Sequence, residues 1–151
     1  MFRRIVLAGL AVATTIGVAA GVFLWKRFDE TKDCPTYELR DYIAYFVPDS
    51  SELSPDAIQI IDELAASTKY YDPCLPVDRI TLVAHTDTVG DTEANLRLAR
   101  RRVEAVAARL KMKGVTLPLR LVPKGEANTP VPTADNVREP LNNRVYLDYL
   151  S

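Results

Sequence analysis

Apolar positions follow three different rhythms along the chain. Residues 5–25 are uncharged and mostly apolar without a break, and residues 28–39 are polar and charged. Beyond them, short apolar runs alternate with segments whose apolar residues return every three or four positions, the marks of strands and amphipathic helices respectively. Tyr42 to Val47 is aromatic and β-branched and predicts a strand stopped by Pro48. Ser54-Pro55 supplies an N-cap and a proline at the first helical position, and Ile58, Ile61, Leu64 and Ala65 recur behind it. The spacing predicts a helix over 54–68. Residues 70–77 hold Pro73 and Pro76 and predict a loop.

Arg79 to Ala84 is a short run whose near-continuous apolarity places it in the centre of a sheet, covered on both faces. A turn over His85–Thr92 leads into the most helical stretch, Glu93 to Lys113, which Gly114 ends. Its apolar stripe reads Leu96, Ala99, Val103, Val106 or Ala107, and Leu110. Leu117–Val122 predicts a third strand, 123–141 a long loop rich in Pro, Asn and Gly, and Arg144–Leu150 a closing strand. The order β-α-β-α-β-β predicts an α/β (α+β) sandwich: two helices packed on a mixed four-stranded sheet, preceded by an N-terminal hydrophobic helix.

Ile5–Trp25 is 21 residues long. As a helix it spans about 31 Å, enough for a hydrocarbon core of about 30 Å. Arg3-Arg4 and Lys26-Arg27 bracket it. Residues 1–27 therefore read either as an uncleaved transmembrane anchor, with Trp25 at the interface, or as a signal peptide cut after Val18-Ala19-Ala20. Both place the rest of the chain outside the cytoplasm. Residues 28–39 then form a linker and 40–151 the folded domain. An oxidising compartment favours a disulfide between Cys34 and Cys74, which would stabilise by roughly 3–4 kcal/mol; two buried free thiols are the alternative.

Composition narrows the chemistry. The whole chain of 151 residues carries 19 Lys+Arg and 20 Asp+Glu. Four of the cations and none of the acids lie in residues 1–27, so the remainder has 15 against 20 and a net charge of −5. An acidic body is a poor match for nucleic acid. Cysteines and histidines do not cluster, so no metal site and no cofactor are expected. His85 is the only histidine, with no nucleophile beside it, and an enzyme is not expected. Its ring is expected to hold the turn through its nitrogens.

Polar groups at strand ends are where a rigid scaffold presents function, which directs attention to the turn His85-Thr86-Asp87-Thr88-Val89-Gly90. Asn95 and Arg102 lie seven residues apart and project from nearly the same helix face, one residue behind the apolar stripe. Among Arg100, Arg101 and Arg102, only Arg102 shares Asn95's side. An acid on the turn and a guanidinium on the helix flank would form a two-signed pocket suited to a zwitterion. The same residues also fit a structural reading, with Asp87 capping a turn and Arg102 in water.

In their order and spacing these segments resemble the OmpA-like peptidoglycan-binding domain over roughly residues 40–150. The matching features are Phe46–Leu53 (FVPDSSEL) before Ser54-Pro55, and His85-Thr86-Asp87-x-x-Gly90. They continue with Asn95, Arg101-Arg102 and Glu104-Ala105-Val106, then Gly125-Glu126 with Pro130, and Asn142-x-Arg144-Val145. The resemblance implies non-covalent binding of peptidoglycan at the meso-diaminopimelate of its stem peptide. Asp87 would take the ammonium and Arg102 the carboxylate, with Asn95, Thr86 and Thr88 framing the pocket and His85, Gly90, Asn142 and Arg144 supporting it. The family usually has two arginines after the closing asparagine. Asn143 stands at the first, so a weaker carboxylate grip is expected unless Arg138 swings in. Alanine at Asp87 or Arg102 is expected to abolish binding and leave the fold intact. The implied location is the periplasm of a Gram-negative-type envelope, with the membrane a further partner if residues 5–25 are uncleaved. The alternative is an inner-membrane-anchored subunit of a stator-like or secretion-like envelope machine whose domain contacts a protein partner. Ion coupling itself is disfavoured, because Ile5–Trp25 holds no ionisable residue.

Overall fold

Helix α1, Pro55–Ser67, begins where its sequence dictates. In the computed structural model, which describes residues 41–68 and 77–149, Ser54 is extended and its Oγ accepts from Ala57 N at 3.1 Å. Helix α2, Thr92–Met112, is capped by Asp91, whose Oδ1 accepts from Ala94 N at 2.9 Å. Gly114 ends it at φ +87°, and Val115 N returns to Leu110 O at 3.1 Å. The anchor or signal segment 1–27, the linker 28–39, Cys34 and Cys74 lie outside the described residues. Among the described residues, no helix is long and apolar enough to cross a membrane.

The strands are β1 (Tyr42–Tyr45), β2 (Ile80–His85), β3 (Leu119–Gly125) and β4 (Arg144–Asp148), in the spatial order β1-β4-β2-β3. β2 pairs in parallel with β3, and β4 runs antiparallel to both β1 and β2. The predicted central position of the Arg79–Ala84 run is met: β2 is interior, and Ile80, Leu82 and Ala84 are fully buried. Both crossovers, β1-α1-β2 and β2-α2-β3, step in the same direction across the sheet. Right-handed connection therefore lays both helices on one face. Leu82, Ala84, Val145 and Leu147 pack there against Ile61, Leu64, Val103, Val106 and Leu110. Asp62 of α1 clamps Arg109 of α2 with two bonds, at 2.8 and 2.6 Å, and meets Lys113 at 2.8 Å.

Three predicted boundaries move. β1 ends at Tyr45 rather than Val47: Phe46 N still bonds Asn143 O at 2.8 Å, but Val47 turns out into solvent. β4 ends at Asp148 rather than Leu150. β3 runs later than 117–122, because parallel pairing with β2 continues to its end. There the register slips, and Gly125 rather than Lys124 faces His85. Gly125 has φ +59°, and a Cβ on it would sit 3.0 Å from Leu96 N. Glycine alone lets this strand end press against the first turn of α2.

The stripe on α2 is also wider than expected. Leu96 is only partly buried, whereas Asn95, Leu98 and Arg102 join Ala99, Val103, Val106, Ala107 and Leu110 in the buried face. Asn95 and Arg102 do share one side. That side is the core side.

Candidate functional site

The site lies at the carboxyl end of β2, where the turn after His85 meets the turn after β1, the first half of α2 and the residues before β4. Arg102 is its centre. The side chain has no exposed surface, contrary to its expected place on the helix flank. Its Nε donates to Ser50 O at 2.9 Å, and Nη2 to Val47 O at 3.2 Å. Nη1 donates to His85 O at 3.0 Å and to Asn143 Oδ1 at 2.9 Å. The Phe46 ring lies 5.1 Å from the guanidinium carbon, within cation–π range. Burial lowers the Arg102 pKa to about 10, while the negative charges of Asp87 and Asp49 draw it back up. The group remains cationic at neutral pH.

Asp87 is almost as deep, at 4% exposure. Its Oδ1 receives Val89 N at 3.3 Å, and its Oδ2 receives Asn143 Nδ2 at 2.9 Å. The acid and the base are thus brought together with one amide between them. Asn143 faces Arg102 with its oxygen and Asp87 with its nitrogen, the only orientation that satisfies both charges. Asn143, which the sequence marks only as an uncharged residue where the family has arginine, is 1% exposed and joins the pair.

The surrounding residues brace the turn. Asn95 Nδ2 donates to Val89 O at 3.1 Å and to Glu126 Oε2 at 2.7 Å, and Thr92 Oγ1 bonds the other oxygen of Glu126. Thr88 Oγ1 donates to Ala134 O at 2.7 Å and accepts from Val137 N at 3.0 Å, stitching the long loop to the turn. Gly90 closes the turn at φ +96°. Asn142 holds Val131 reciprocally, accepting at 2.9 Å and donating at 2.8 Å. Thr86 is buried through its backbone bond to Gly125 O at 2.9 Å, and its hydroxyl meets no partner.

Three supporting assignments change. The His85 ring does not hold the turn through both its nitrogens, since Nδ1 has no partner; the His85 carbonyl does so by accepting from Arg102. Arg138 does not reach the acid–base pair, because its Nη2 pairs with Asp49 Oδ2 at 3.3 Å. Arg144 stands on the other face of the sheet: its neighbour Val145 is in the core, and strand residues alternate.

The sequence marks Asn143 only as a missing charge, and it assigns no role to Glu126 or to the carbonyls of Val47 and Ser50. Glu126 and FVPDSSEL were in the quoted motifs, so a signal existed, but main-chain acceptors carry none. Among the described residues, no three His, Cys, Asp or Glu side chains gather as a metal site.

The profile of the OmpA family matches residues 45–144. A peptidoglycan-associated lipoprotein of Pseudomonas putida is 36% identical over 101 residues, covering 66% of this chain and 57% of that protein. The chain thus spans little more than half the length of this curated relative. The crystal structure of the peptidoglycan-associated lipoprotein from Burkholderia pseudomallei superposes with a TM-score of 0.61 at 27% identity, covering 72% of this chain and 89% of that one. The C-terminal domain of Helicobacter pylori MotB shares the fold, with a TM-score of 0.56 at 23% identity over 72% of this chain and 82% of that one.

Proposed function

The chain belongs to the OmpA family, and from that premise we propose that it binds peptidoglycan non-covalently, through the meso-diaminopimelate of the stem peptide. Binding there would tether an envelope component to the cell wall. The observation that carries the reading is the joining of Asp87 to Arg102 through Asn143 at the end of β2. The side chain of diaminopimelate ends in an ammonium and a carboxylate on one carbon. Asp87 has charge to offer the ammonium, because its two protein partners are neutral N–H donors.

The carboxylate cannot meet Arg102 on an open flank, as the guanidinium lies under the carbonyls of Val47 and Ser50. In this proposal the ligand carboxylate replaces one of these carbonyls as the β1–α1 turn shifts outward. The exchange is favourable in kind, since it gives the guanidinium an acceptor with a full negative charge in place of a neutral carbonyl. The relatives' names support a wall-binding role and an envelope location, which we place on the periplasmic side, with residues 1–27 as anchor or cleaved signal. The alternative of a docking subunit in an envelope machine draws on the fold alone.

Co-sedimentation of the full chain with diaminopimelate-type sacculi tests the proposal. The chain is expected to pellet and to be released by free diaminopimelate. Failure to pellet, or release unaffected by diaminopimelate, would reject it.

A further inference from the structure

The face of the sheet away from the helices carries polar groups that the wall-binding site does not use. His85 pairs in register with Arg144, and Arg144 with Tyr45 of β1. On the other side of β2, the register slip leaves Lys124 as the extra residue opposite His85. Alternation from the core residues Ala84 and Val145 puts His85 and Arg144 on this open face.

Among the described residues these groups have no paired counter-charge: no ion pair there involves Arg144 or Lys124. Arg144 Nε and His85 Nδ1 are both buried without a hydrogen-bond partner among the described residues, and His85 as a residue is only 7% exposed. Burial lowers the His85 pKa, and Arg144 and then Lys124 lower it further; only the Ala127 carbonyl acts the other way. By register Arg144 lies directly beside His85 on this face, and Lys124 is the bulged residue across from it on β3. The nearest strand carboxylate on this face, Asp148, lies opposite Thr81, four residues from Arg144 and about 13 Å along the strand. The unpaired donor is Arg144 Nε, at a cost of roughly 1–3 kcal/mol, and Lys124 adds a second positive charge on the same face. An anion between them would remove both costs.

We propose that His85, Arg144 and Lys124 form a second site, on the open sheet face, for a doubly charged oxyanion of the phosphate type. Arg144 offers the Nε edge of its guanidinium, Lys124 a point charge, and His85 the floor. The site lies on the opposite side of β2 from Arg102, so its occupation is independent of the wall-binding proposal.

His85 is the only histidine in the chain, so its imidazole signal in an NMR spectrum is assigned by composition. The test follows this signal in the full chain at fixed pH and constant ionic strength as inorganic phosphate replaces chloride. A saturable shift is expected, with acetate weaker by on the order of tenfold because it carries one charge rather than two. Lys124→Gln, an exposed substitution that spares the core, is expected to weaken phosphate binding by about tenfold, and Arg144→Gln by more, as removed charge-assisted contacts do. Asp87→Asn is expected to leave it unchanged. A shift that never saturates, or that is the same in Lys124→Gln and Arg144→Gln, would mean an adventitious ion only and overturn the site. Acetate binding as tightly as phosphate would overturn the assignment to a dianion.

Discussion

Arg102 donates through Nη1 to the side-chain oxygen of Asn143 at 2.9 Å, and this contact decides how the site is charged. With its oxygen committed to the cation, the Asn143 amide can only donate to Asp87. A direct Asp87–Arg102 ion pair would neutralise both groups. The intervening amide keeps the two charges close and separate, which is what a zwitterionic ligand needs. Asn143→Leu removes both bonds from a buried position and is expected to cost about 1–3 kcal/mol in urea unfolding. It should also weaken co-sedimentation with sacculi.

Arg102→Ala is not the clean test of binding that its expected flank position suggested. It would take the Arg102 donor from the carbonyls of His85 and Ser50, leave Val47 O only its bond from Ser50 N, and open a cavity beneath Phe46. Loss of a buried charge with its bonds costs roughly 3–5 kcal/mol, so a large drop in the unfolding midpoint is expected. Arg102→Lys keeps the charge but cannot reproduce the planar fork, and should fall between the two.

Gly125→Ala is expected to destabilise the chain by about 1–3 kcal/mol, since the position demands positive φ and an added methyl meets the backbone of α2. The same substitution at Gly114, also at positive φ but with open space around it, should cost less. Comparing thermal midpoints of the two variants separates close packing from backbone strain.

The Asp62 cluster gives the fold a defined acid limit. Hydrogen bonds from Arg109 and then Lys113 hold the Asp62 carboxyl at about 2, below its usual 3.8. A carboxyl whose pKa is depressed by folding stabilises above its unfolded value and loses that contribution as pH falls through the folded one. Asp62→Asn should therefore lower the melting temperature at neutral pH. The difference from the parent chain should shrink between about pH 4 and 2, as followed by circular dichroism.

Much of the scaffold was legible because local rules and packing agree. Ser54-Pro55 is an unambiguous helix start, Gly114 an end, and the apolar run of β2 fits only an interior strand. The seven-residue spacing correctly put Asn95 and Arg102 on one side of α2. It could not show that this side is buried, because an arginine in an apolar stripe reads as its polar border. Only the convergence of three main-chain carbonyls and Asn143 makes burial tolerable, and that depends on segments up to 55 residues away in sequence. The extension of β3 to Gly125 was hidden for a similar reason: Pro123 and Gly125 read as loop until pairing with β2 is known.

The sharpest test of wall binding is co-sedimentation of Asp87→Asn with diaminopimelate-type sacculi, beside the parent chain and with urea unfolding of both. The asparagine keeps one oxygen to accept from Asn143 and gives up the charge together with the longer 3.3 Å bond from Val89 N. Retained stability with binding weakened by about 2–5 kcal/mol, enough to leave the variant in the supernatant, is the predicted result. A stable variant that pellets as fully as the parent would contradict the assignment of Asp87 to the ligand's ammonium.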